Sequence, residues 1–272
     1  MPLPLRRNVC TKIEEFAEKF NSAWARTDEI FAIVATNELA ATPIVWRHPF
    51  IFYFGHLPAF SWNQICGAIL KWKSVNPYFD DLFCRGIDPD VDTGECHWHP
   101  DVPDNWPSLA ETSAYRNNVR EALLESLGAV ARASSKVVVA QEGRVFQMVL
   151  EHEFMHQETL MYMLQQLPLE KKRRPKVSPR YSFQRAQVSR SVSISAGKAR
   201  LGAKFNDALF GWDNEFEEVI VDVPSFSIDS LPVSIGQFFE FLSAGAYDNE
   251  IYWRPEDWRW KNLEKKYLQP IG

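Results

Sequence analysis

The segment Glu151-His152-Glu153-Phe154-Met155-His156-Gln157-Glu158 sets two imidazoles four residues apart. In an α-helix, residues so spaced stand one above the other on a single face, so His152 and His156 can offer ring nitrogens to one metal ion. Val145, Met148, Val149, Leu160 and Met163 fall near that face, which turns both rings inward toward neighbouring helices. The plainer alternative is a buried histidine pair satisfied by its neighbours, since a chain with six histidines can produce this spacing by chance.

A transition ion held by imidazoles and still open to chemistry takes a third protein ligand. His56 is one candidate, because it shares an apolar stripe with Phe52, Phe60 and Asn63, and Gly55 beside it allows close backbone approach. Glu158 is the competitor. Two residues beyond His156, it is turned about 200° around the helix, which favours an outer role holding a ligand in place over direct ligation. The cluster Cys96-His97-Trp98-His99 is a weaker candidate for a second metal site, since no matching pair lies elsewhere. His48, before Pro49, reads as a turn residue.

The elements that must carry these side chains read as helices first. Ile13 to Val34 has apolar residues at helical period, Phe50 to Trp72 follows with Pro58 expected to begin or kink a helix, and Asn76 to Trp106 is a Pro- and Asp-rich loop. Ser108 and Glu111 form a capping box for a helix running to about Ala133, and Glu142 to Gln166 holds the paired histidines. Four long helices imply an up-down bundle, an architecture that places metal ligands on facing inner surfaces. Residues 168–190 turn basic and proline-bearing, and the run Lys171-Lys172-Arg173-Arg174 reads as a solvated linker. Beyond it, 191–195 and 219–223 alternate like strands. A short helix after Pro232 has Ser234 and Gln237 as a capping box, with Phe238, Phe239, Phe241 and Leu242 expected on its buried side. The fold class is α+β: a helical domain at 11–167, a linker at 168–190 and a second region at 191–272.

Composition narrows the function. A net charge of −5, 46% hydrophobic and 24% charged residues describe an ordinary globular chain with a sizeable core and no nucleic-acid footprint. Met1 to Cys10 lacks the apolar centre of a signal peptide, and no stretch is long enough to span a bilayer. Cys10, Cys66, Cys84 and Cys96 are scattered without a CxxC pair, so a reduced, cytoplasmic protein is expected.

Several segments resemble the EgtB-type sulfoxide synthases of ergothioneine biosynthesis. They are Arg47-His48-Pro49-Phe50-Ile51-Phe52-Tyr53-Phe54-Gly55-His56 through Phe60, then Phe83 to Asp92, Cys96 to His99, Asp104 to Pro107, and Glu151 to Leu164. Phe210 to Glu215, Phe226 to Asp229, Pro232 to Ser234 and Trp258-Arg259-Trp260 resemble the start of a formylglycine-generating-enzyme-like domain of C-type-lectin-like fold. The resemblance implies a DinB-like four-helix bundle followed by that domain. It also implies a non-haem enzyme using Fe(II) and O2 to join a cysteine-type thiol, cysteine or γ-glutamylcysteine, to the imidazole of hercynine as a sulfoxide. The family's iron-binding histidines fall on His56, His152 and His156.

Two departures from the pattern matter. Met155 stands where bacterial members carry a Gln that contacts the imidazole substrate, and the chain stops at Gly272, before such a second domain would be complete. The family's catalytic tyrosine and thiol pocket are therefore not assigned, and no catalytic or substrate-binding residue is named. Arg85 is a possible carboxylate binder. The rival readings are an ovothiol-type enzyme acting on histidine, an inactive metal-binding module, and a zinc-dependent thiol transferase.

Overall fold

The computed structural model describes residues 5–44, 47–84, 103, 105–133, 138–175, 188–208 and 210–263, with side chains from residue 13 onward. The chain divides into two compact units. The first comprises Met1–Arg180 with Gly202–Glu218, and the second Tyr181–Leu201 with Val219–Gly272.

Among the described residues of the first unit, four long helices pack on one another. They are α1 (Leu5–Phe31), α2 (Phe50–Ser61), α4 (Leu109–Ala133) and α5 (Arg144–Gln166), with the short α3 (Pro77–Leu82) beside α2. Helix α1 packs against α4 and α5, and so does α2. The core is aromatic and aliphatic: Phe20, Phe50, Phe52, Tyr53, Leu123, Leu127, Leu160 and Met163 are among its fully buried members. Pro58 does not break α2. It is accommodated in the helix, which widens immediately afterwards into a π-helix, Trp62–Ile69. Such widening leaves backbone groups out of the regular ladder and recurs near functional sites. Ser108 and Glu111 exchange the expected capping hydrogen bonds at 3.0 and 3.2 Å.

Two stretches differ from expectation. Within Asn76 to Trp106, α3 forms because the Asn76 side chain accepts the Phe79 N–H at 3.1 Å and Pro77 occupies the first turn. The basic run, expected to be solvated, is tied down over its first three residues. Lys172 forms a bridge with Val34, the Arg173 N–H donates to the Ile33 carbonyl at 2.7 Å, and Lys171 pairs with Glu38 at 2.9 Å. Backbone groups of the run thereby pair with those left open beyond the end of α1, and the Lys171 ammonium meets the Glu38 carboxylate. No helix among the described residues is long and apolar enough to cross a membrane.

In the second unit, β1 (Ser191–Ile194) pairs antiparallel with β4 (Phe226–Asp229), and β2 (Gly197–Leu201) pairs with β3 (Val219–Val223). The strands thus form two separate two-stranded sheets, with residues 195–196 and 224–225 between them in sequence. Helix α6 (Ile235–Ser243) starts at the expected Ser234–Gln237 capping box, and α7 spans Pro255–Leu263. Its apolar side departs from expectation: Phe238, Phe239 and Phe241 are exposed. Phe238 and Phe241 meet Tyr247 edge-on at 6.4 Å, a cluster too small to enclose them.

Candidate metal centre

Helices α2 and α5 bring three imidazoles to one point. The Nε2 atom of His56 lies 3.2 Å from that of His152 and 3.1 Å from that of His156, and the last two are 3.2 Å apart. His56 and His152 are buried, His156 partly so, and among the described residues this is the one group of three or more potential ligands suited to an ion. Each ring is held from behind. Phe60 stacks on His152 with ring centroids 3.6 Å apart, Phe52 stacks on His56 at 5.0 Å, and Tyr53 lies against His156 at 5.4 Å.

The tautomer of His56 is set by a single bond. Its Nδ1 stands 2.7 Å from the Phe83 carbonyl oxygen, so Nδ1 carries the proton and Nε2 presents a lone pair to the other two rings. Gly55 makes this contact possible: a Cβ there would lie 2.5 Å from Phe83 ring carbons. Phe83 is in turn positioned through α3, where Asp80 accepts a 2.7 Å bond from the Tyr115 hydroxyl and another from Ser74, while its carbonyl accepts from Asn63 at 3.0 Å.

Burial keeps all three rings neutral. Desolvation, the largest cause in each case, lowers the pKa of His56 to about 4 and of His156 to about 3, and depresses His152 furthest. Smaller contributions come from His48 acting on His56, from His56 and Arg47 acting on His156, and from the other two imidazoles acting on His152. Three unprotonated nitrogens facing one another repel unless a cation lies between them. Three neutral imidazole nitrogens within 3.2 Å of one another suit a divalent transition ion, and three protein ligands leave positions open for other groups. Nδ1 of His156 is buried without a hydrogen-bond partner among the described residues.

A second pair on α5, shifted by one residue from the histidines, holds this helix against α1. Thr27 donates to the Glu153 carboxylate at 2.5 Å, and Gln157 donates to Thr27 and to the Ala23 carbonyl, both at 3.0 Å. Burial raises the pKa of Glu153, partly offset by the Thr27 bond and by Arg120 and Arg116. The sequence reading passed over Glu153 and Gln157, although they share the four-residue spacing of the histidines. Glu158, expected in an outer role, is exposed on α5 beside Arg26 and Phe154, and no hydrogen bond among the described residues joins it to a histidine. His48, outside any helix or strand just before α2, is buried with its ring 4.1 Å from that of Phe52. Met155 is exposed. Arg85 and the Cys96–His99 cluster lie outside the described residues, and Cys66 is a buried thiol whose pKa burial pushes up to about 12.

Comparison with known proteins extends the geometry. The chain is 31% identical over 242 residues to Ergothioneine biosynthesis protein 1 of Neurospora crassa, covering 83% of this chain and 27% of the relative. It is 26% identical over 240 residues to the protein of the same name from Schizosaccharomyces pombe, covering 78% and 30%. Hercynine oxygenase of Mycolicibacterium smegmatis is 30% identical over 159 residues, 57% of this chain and 35% of that protein. The chain therefore spans roughly a third or less of the length of these relatives. The DinB superfamily profile matches residues 19–160, the stretch that contains α2, α4 and all three histidines. With more than half of its length matched by that profile and its helices packed as described, the chain belongs to the DinB superfamily.

Proposed function

We propose that His56, His152 and His156 bind Fe(II), and that the protein is a non-haem, O2-dependent sulfoxide synthase of ergothioneine biosynthesis. It joins a cysteine-type thiol, cysteine or γ-glutamylcysteine, to the imidazole of hercynine. The observation that carries this reading is the convergence of three neutral Nε2 donors at 3.1–3.2 Å, and the names of the relatives supply the substrate class. In this reading residues 11–167 are a DinB-like four-helix bundle, 168–190 a linker and 191–272 the start of a formylglycine-generating-enzyme-like domain, in a cytoplasmic protein.

Bound Fe(II) supplies one-electron chemistry with O2 and acidifies a thiol that coordinates it. The chain's own residues supply the rest. Phe83 fixes the His56 tautomer through its carbonyl, so that a lone pair and not a proton faces the ion. Phe52, Phe60 and Tyr53 wall the three rings from bulk water and hold their planes. Thr27, Glu153 and Gln157 fix the rotation of α5, and so the direction in which His152 and His156 point.

The test is oxygen uptake by the protein reconstituted anaerobically with Fe(II). Consumption that needs both hercynine and a cysteine-type thiol is expected. Full iron occupancy with no uptake, or product formed by the zinc-loaded protein in the absence of O2, contradicts the proposal.

A further inference from the structure

Arg47 is a cation beside the histidine centre that the mechanism above does not use. It precedes α2 and is half-buried, and its guanidinium lies over the Tyr162 ring of α5, 5.5 Å from the centroid. Its charge also reaches Tyr53, whose ring rests against His156 at 5.4 Å, and works against the larger effect of burial on that phenol. Its charge is felt at His156, where it disfavours protonation. Among the described residues no carboxylate forms an ion pair with Arg47. The contrast with α4 is direct: Arg116 and Arg120 both pair with Asp28 at 2.8 Å.

Tyr53 and Tyr162 cannot neutralise this cation. Burial pushes the Tyr53 hydroxyl up to about 12, so it stays a neutral phenol. The Tyr162 ring steadies the guanidinium while leaving its fork of donors in need of an anion. A fork of this kind, preorganised by stacking, matches a carboxylate with two parallel hydrogen bonds.

We propose that Arg47 binds the α-carboxylate of an amino-acid-type ligand whose reactive group faces the three histidines. This rests on the metal reading above. The carboxylate can belong to the imidazole ligand or to the thiol ligand, because both have the same anionic group. Arg47 acts as a specificity-determining residue: it selects amino acids over the corresponding amines and fixes where their side chains lie.

The experiment uses the Fe(II)-loaded chain under anaerobic conditions and titrates two ligand pairs, histidine against histamine and cysteine against cysteamine. Wild type should bind the carboxylate-bearing member of one pair at least about 10-fold more tightly, the scale of a charge-assisted bond. Arg47→Ala should abolish that preference with iron affinity unchanged, and Arg47→Lys should restore part of it, since a lysine keeps the charge without the fork. The pair that responds identifies which ligand is held. Equal binding of acid and amine by wild type, or an intact preference in iron-loaded Arg47→Ala, overturns this inference alone. Failure of wild type to take up iron overturns the metal reading and this inference with it.

Discussion

Phe83 O and His56 Nδ1 stand 2.7 Å apart across 27 residues of sequence, and this bond links the tautomer of a candidate ligand to the packing of α3. The link depends on residue 55 having no side chain. In Gly55→Ala the new Cβ meets the Phe83 ring at 2.5 Å. Alanine favours a helix by up to about 1 kcal/mol, whereas overpacking costs about 1–3 kcal/mol, so the clash wins. Thermal denaturation should show a lower Tm and metal competition a loss of about 10–100-fold in affinity. An unchanged affinity would mean that Phe83 does not position His56.

Thr27 tests the helix contact behind the histidines. Thr27→Val preserves shape but leaves the buried Glu153 carboxylate and one Gln157 donor without their partner. A stability loss of about 1–3 kcal/mol is expected in chemical denaturation, with metal affinity reduced as α5 gains freedom to rotate. Wild-type stability would show that Glu153 finds another donor.

Glu158→Gln should leave iron affinity within about twofold of wild type, as expected of a surface substitution away from the site. Its carboxylate faces solvent beside Arg26. A loss as large as that of a histidine variant, read by competition with a chromophoric chelator, would place it in the coordination sphere after all.

The histidine centre also gives the metal-free protein an acid sensitivity. The folded-state pKa values, about 4 for His56 and about 3 for His156, lie below the unfolded value of about 6.5. The unfolded chain therefore binds more protons, and the stability these groups contribute is complete above pH 6.5 and is lost as pH falls through 4. Glu153 works in the opposite sense, because its raised pKa makes folding favour its protonated form as pH drops. Denaturant midpoints at pH 8, 6 and 5 should fall in that order, and more steeply in Glu153→Gln, which removes the compensating group. A midpoint independent of pH from 8 to 5 would contradict burial of neutral imidazoles.

How much of this was legible follows from the range of each interaction. The His152–His156 pair, the capping boxes at Ser108 and Ser234 and the four long helices are local patterns, set by helical period and by side chains three or four residues apart. The meeting of His56 with that pair was inferred from its apolar stripe, and the structure brings the rings together. The Phe83 carbonyl was invisible, since a backbone acceptor has no residue type to mark it. The turn of about 200° that argued against Glu158 as a ligand also carries it to the exposed side of α5, whereas Glu153 and Gln157 face α1 and were passed over. The run Lys171–Arg173 looked solvated by composition, yet its partners on Val34, Ile33 and Glu38 are more than 130 residues away in sequence.

The central claim is that three imidazoles surround one ferrous ion. X-ray absorption at the iron edge of the anaerobically loaded chain, with iron content measured on the same samples, tests it most directly. One iron per chain with scattering from three imidazoles in wild type, and loss of bound iron in His56→Ala, His152→Ala and His156→Ala but not His48→Ala, is the predicted result. Iron retained equally in all four variants, or a wild-type centre with fewer than three imidazoles, would contradict the account.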